Sequence, residues 1–120
     1  MPTVSFLPTE LDLAIYAGDD FRIRVDVKQP NNNPVDLTGD LVAQIRVDVD
    51  SPTVVTEFHL DDSLAAQGIL FVSLDQDQTR ALDDVGSLFV YDIEFTDEFA
   101  NTQTLFAGNI IMTKDVSRSV

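Results

Sequence analysis

An all-β domain, an antiparallel sandwich of two sheets, is the fold class that the sequence predicts, and three observations carry it. Short runs alternate between apolar and polar residues, the period of a half-buried strand. Turn signals recur every 8 to 12 residues, the spacing of a sandwich or barrel. The glycines and prolines read as punctuation between the runs.

The elements follow in order. Residues 1–10 read as an N-terminal arm, 11–113 as the sandwich domain and 114–120 as a C-terminal tail. Leu11 to Tyr16 reads as a strand and Ala17-Gly18-Asp19-Asp20 as a tight turn. In Phe21 to Lys28, Phe21, Ile23, Val25 and Val27 share one face, while Arg22, Arg24, Asp26 and Lys28 share the other. A turn-rich segment, Gln29 to Gly39, precedes a strand over Leu41 to Val49, where the alternation returns in Leu41, Ala43, Ile45 and Val47. Asp50-Ser51-Pro52-Thr53 turns the chain into a strand over Val54 to Leu60. Asp61 to Gln67 then leads through Gly68 to the strand Ile69 to Leu74.

One short connecting helix is predicted over Gln76 to Leu82, because Asp75 can cap its free amides and Gln78 stands three residues on, as in a capping box. Leu82 is expected to plug one end of the sandwich, and Asp83-Asp84-Val85-Gly86 to release the chain. Two strands close the domain, Leu88 to Thr96 and Thr102 to Thr113. About seven strands result, the complement of an immunoglobulin-like sandwich. The chain has no cysteine and no tryptophan, so Phe21, Phe58, Phe71, Phe89, Tyr91, Phe95 and Phe106 are expected to fill the core instead of a disulfide and a packed indole.

A chain of 120 residues has room for one domain and buries about 65% of its unfolded surface. Twenty-one acidic against seven basic residues give a formal charge of −14, which repels a phosphate backbone and argues against nucleic acid as a partner. The same charge favours a partner with a basic patch and an association that weakens with salt. The first residues lack the basic start and apolar run of a secretory signal. No segment approaches the ~18 uninterrupted apolar residues that span a bilayer, so no membrane partner is expected.

The residues that carry chemistry are few. His59 is the only histidine; it falls beside Glu57 on the outward face of its strand, with no spacing that implies a nucleophile and an orienting carboxylate. Acidic pairs recur at Asp19-Asp20, Asp61-Asp62, Asp83-Asp84 and Asp97-Glu98, mostly at strand ends. Turn formation and capping account for them. Calcium held by several pairs at one pole is the sharper alternative, although no pair has the glycine and terminal glutamate of an EF-hand loop. Glycoside hydrolysis by two carboxylates needs a sugar cleft that so short a chain without tryptophan is not expected to build. The expectation is a non-enzymatic protein without a cofactor, a catalytic site or a metal site.

The last strand is the best candidate for binding, because Leu105, Phe106, Ala107, Ile110, Ile111 and Met112 read as apolar on both faces. Either the arm, with Val4, Phe6 and Leu7, covers the second face, or another subunit does. Val4, Phe6, Leu7, Leu105, Phe106, Ile110 and Met112 are therefore the candidate partner-binding residues. A short apolar arm suits docking, since it can add to a sheet edge through main-chain hydrogen bonds.

Five segments in this order resemble a known group: Gly18-Asp19-Asp20, Pro34 to Gly39, Gln67-Gly68-Ile69, Leu88 to Phe95, and Gly108 to Arg118. These are the small immunoglobulin-like β-sandwich virion proteins of tailed bacteriophages, similar to the N-terminal domain of the phage baseplate upper protein. The resemblance spans Leu11 to Arg118 and implies a virion structural protein of the tail, baseplate or capsid surface. Its implied partners are other virion proteins and copies of itself. The baseplate protein carries long extensions after this domain, whereas this chain ends eight residues after Met112, so a component present in many copies, such as a capsid decoration, is expected. A host-surface carbohydrate-binding module that uses loop carboxylates, with or without calcium, is the alternative.

Overall fold

A computed structural model describes residues 9–29 and 31–114. Two sheets pack face to face as an all-β sandwich. The strands are β1 (Thr9–Glu10), β2 (Leu13–Tyr16), β3 (Phe21–Asp26), β4 (Asp40–Arg46), β5 (Thr56–Glu57), β6 (His59–Asp61), β7 (Ile69–Leu74), β8 (Leu88–Thr96) and β9 (Thr102–Thr113). The larger sheet runs β1-β9-β8-β4-β5, with β2 also paired to β9, and the smaller runs β3-β7-β6. β1 and β2 lie parallel to β9, and the other pairings are antiparallel.

The core forms where the alternating residues of the two sheets meet. Ala43 and Ile45 of β4, Phe89, Tyr91, Ile93 and Phe95 of β8, and Ile110 and Met112 of β9 point inward from the larger sheet. Val25, Leu70, Val72 and Leu74 meet them from the smaller one. Phe58 packs edge-on to Tyr91, with ring centroids 5.7 Å apart, a favoured aromatic geometry. Of the seven aromatics expected in the core, Phe58, Phe89, Tyr91 and Phe95 are buried, and Phe21 and Phe106 are partly buried against it. Phe71 instead faces outward, where the Arg22 guanidinium covers its ring at 4.6 Å.

Among the described residues, nine strands replace the expected seven, because one predicted strand is divided and the predicted arm supplies another. Leu11 to Tyr16 starts as a strand only at Leu13, and Thr9–Glu10, assigned to the arm, already pairs with β9. Val54 to Leu60 divides between the sheets: Thr56–Glu57 pairs with β4, whereas His59–Asp61 pairs with β7. Buried Phe58 is the crossing point. Leu41 to Val49 stops early at Arg46, where the Asp48 carboxylate accepts from the Asp50 amide at 3.0 Å and turns the chain.

The helix α1 (Gln76–Val85) begins where predicted, with both hydrogen bonds of the Asp75/Gln78 capping box formed, and runs on beyond Leu82 to Val85. Leu82 is fully buried and belongs to the core. Buried Thr79 ties the helix to the β2–β3 turn. Its hydroxyl accepts from the Gly18 amide and donates to the Asp19 carbonyl, each at 3.0 Å.

Gly108 is not punctuation, since it lies inside β9 opposite Tyr91. A Cβ there would collide with the carbonyl of Leu11, so glycine lets the break between β1 and β2 settle onto β9. Two further bonds fix that approach: the Leu11 amide donates to the Ala107 carbonyl at 3.0 Å, and the Asn109 amide to the Asp12 carboxylate at 3.0 Å.

Candidate functional site

The outer face of the larger sheet holds the features that suit binding. Register sets its rows. Leu88 of β8 stands beside Ile111 of β9, which stands beside Ala14 of β2. Tyr16, two residues along β2, continues this strip on the same face. Leu88, Tyr16 and Ile111 are 62%, 54% and 47% exposed, so three large apolar side chains lie together in solvent on a rigid sheet. Such clustering is what marks an interaction surface, whereas single exposed apolar residues are ordinary.

A second row crosses four strands: Gln44 of β4, Asp92 of β8, Ala107 of β9 and Glu10 of β1. Ala107 and Gly108 are small, and the sheet dips above them into a concavity of about 340 Å³. Asp92, Glu10, Asn109, Gln44 and Arg46 supply polar groups around it, and Val49 and Val90 supply apolar wall. Arg46 is held by donation to the Ser51 carbonyl at 2.8 Å and to the Gln44 side-chain oxygen at 2.9 Å. The Asp92 carboxyl is pushed above the usual carboxylate range because burial outweighs the favourable field of Arg46. Tyr91, beneath the concavity, turns its ring inward; burial and the nearby Asp12 charge push its hydroxyl up to about 12.

The candidate partner-binding residues of the last strand fall elsewhere than expected. Leu105, Ile110 and Met112 are buried in the chain's own core, at 2%, 0% and 6% exposure, and Phe106 packs partly buried against it. The reason is a break in register after Ile93: Ile93 pairs with Phe106 and Glu94 with Thr104, leaving Leu105 as the extra residue of a bulge. The bulge lets neighbouring Leu105 and Phe106 both serve the inner layer. The outward apolar side chains of the strand are Ala107 and Ile111. Val4, Phe6 and Leu7 lie outside the described residues.

His59 is exposed, with its ring 3.7 Å from the Asp75 carboxylate. Acidic side chains of the turns are engaged by backbone amides. Asp61 accepts from Ser63, Asp97 from Phe99 and Asn101, Asp75 from Gln78, and Asp20 from Gln76. These are the turn and cap roles expected of them. Among the described residues, no three histidine or acidic side chains gather closely enough to hold a metal ion, and no helix is long and apolar enough to cross a membrane.

Sequence reasoning missed Leu88, Tyr16, Asp92 and Glu10. Leu88 and Tyr16 carried a usable signal, since each falls on the polar phase of its own alternating strand. Asp92 and Glu10 carried none, because only the pairing of β8, β9 and β1 brings them together.

No protein-family model matches the chain, and no curated protein is similar to it in sequence. Among solved structures, an internalin-like protein of Listeria monocytogenes is similar at 14% identity and a TM-score of 0.40, over 90% of this chain and 28% of that one. The chain thus spans less than a third of that protein, and so remote a likeness carries no functional argument.

Proposed function

We propose that this chain is a non-enzymatic structural protein of a tailed-bacteriophage virion, a rigid sandwich that docks on other virion proteins at the tail, baseplate or capsid surface. The observation that carries the docking reading is the exposed strip of Leu88, Ile111 and Tyr16 on the outer face of the larger sheet. The phage assignment draws on the resemblance of Gly18–Asp20, Pro34–Gly39 and Gly108–Arg118 to the β-sandwich virion proteins. The segment 1–8 is a second docking element in this reading, since it precedes β1, which ends the strand order of the larger sheet among the described residues. The carbohydrate-binding alternative draws no support from the acidic turns, whose carboxylates hold backbone amides.

The test is incorporation into particles. A Leu88→Ser/Ile111→Ser double variant with unchanged circular dichroism is expected to be lost from purified virions. Deletion of residues 1–8 is expected to reduce incorporation while the sandwich stays folded. Wild-type levels of the double variant in particles would overturn the docking face.

A further inference from the structure

We infer that the concavity over Ala107 is a socket for an arginine side chain of the partner protein. This rests on the docking reading above and names the chemistry of the contact.

Two acidic residues stand on either side of a low floor. Asp92 and Glu10 flank Ala107 on the two neighbouring strands. Adjacent strands lie ~4.8 Å apart, so the two acidic residues stand about 10 Å apart with one methyl group between them. A planar guanidinium has donors on more than one edge and can meet both carboxylates at once, whereas an ammonium is a point charge that favours one. Val49 and Val90 offer apolar wall to the methylene stem.

The chain's own cation does not fill this place. Both terminal nitrogens of Arg46 are committed to Ser51 and Gln44 at the far side of Asp92. Among the described residues, the ion pairs within 4 Å involve neither Asp92 nor Glu10. Asp92 is half-buried, and the cost of its burial exceeds what Arg46 and a hydrogen bond with Glu94 together return, so an added positive charge is favoured there. A net charge of −14 steers a basic group toward the face in the first place. Arg46 also sets the polarity of the socket, holding an incoming cation to the Asp92–Ala107–Glu10 side.

The experiment is a titration of the isotopically labelled full chain with N-acetyl-arginine amide at low salt, followed by the backbone amide signals. Saturable shifts are expected at Asp92, Ala107, Gly108 and Asn109, with weaker ones for N-acetyl-lysine amide. The double variant Asp92→Asn/Glu10→Gln is expected to weaken the apparent affinity about tenfold or more, as loss of charge-assisted hydrogen bonds does. Ala107→Leu fills the floor while leaving both charges, and is expected to abolish the shifts. Absence of saturable shifts, equal response to lysine, or binding that survives both variants would overturn the socket. The two readings fail separately: a silent titration with loss of the Leu88/Ile111 variant from particles leaves docking without a socket, whereas a working socket with normal incorporation of that variant removes the apolar face.

Discussion

The Tyr91 hydroxyl donates a 2.5 Å hydrogen bond to the carbonyl of Leu11, a residue 80 positions away in the chain. Leu11 lies in the break between β1 and β2, so this bond joins the inner layer of β8 to the edge of the same sheet. Gly108, opposite Tyr91, leaves the space that lets the two meet.

Tyr91→Phe keeps the ring and removes the donor, leaving the Leu11 carbonyl without this partner. A loss of about 1–2 kcal/mol is expected in urea denaturation, the usual cost of deleting one partner of a part-buried hydrogen bond. The variant also tests the alkaline limb. The hydroxyl is raised to about 12 in the folded chain against ~10 when unfolded, so the stabilisation is complete below pH ~10 and is lost as pH rises toward 12. Stability of the wild type should fall across that window more steeply than stability of Tyr91→Phe. Equal slopes would show that Tyr91 does not cause the loss.

Gly108→Ala tests the close approach itself. The added methyl would meet the backbone of Leu11, which cannot turn aside as a flexible side chain could. Overpacking of this kind costs about 1–3 kcal/mol. Hydrogen exchange should show the damage first at the Leu11 and Asn109 amides, whose bonds hold β1 and β2 in place. Uniform loss of protection across the sandwich would mean that the first strands are not a separable unit.

The fold was legible in the sequence to the extent that the pleat writes itself into a period of two. The bounds of β7 and β8 and the start of β3 could be read in this way, and the Asp75/Gln78 pair announced α1, although β3 ends at Asp26 rather than Lys28 and Phe71 of β7, expected in the core, faces outward. Periodicity cannot announce a bulge, however, and the extra residue in β9 turned Leu105 and Phe106 from a two-faced pair into neighbours on one face. Nor can it show a strand changing sheets at Phe58, because alternation continues through the crossing. Leu105, Ile110 and Met112, read as partner-binding residues, therefore belong to the chain's own core, and the outward apolar residues of β9 are Ala107 and Ile111. The Asp92–Glu10 concavity was illegible for a different reason: its walls come from opposite ends of the chain, and only register joins them.

Three exposed carboxylates set an acid limit. Asp26 is held below the usual range by its hydrogen bond from Arg24, Asp36 by the Thr38 hydroxyl and Asp61 by Ser63. Lowered values mean that the folded chain binds these protons less readily than the unfolded one. Their stabilisation is therefore present above pH ~4, the unfolded carboxylate value, and is lost as pH falls below it. Melting temperature should decline below that point, and Asp36→Asn, already neutral, should decline less steeply. An unchanged slope in Asp36→Asn would remove Asp36 from the acid response.

Thr79 offers the sharpest test of how α1 is anchored. Its hydroxyl is fully buried and serves the β2–β3 turn twice, accepting from the Gly18 amide and donating to the Asp19 carbonyl. Thr79→Val preserves shape and leaves both backbone groups without that partner, so about 1–3 kcal/mol should be lost in denaturant titration. Thr79→Ser keeps the hydroxyl and gives up only a methyl, a deletion of about 1 kcal/mol. The order Thr, Ser, Val in stability is expected. If Val proves at least as stable as Ser, packing rather than the paired hydrogen bonds holds the helix to the turn.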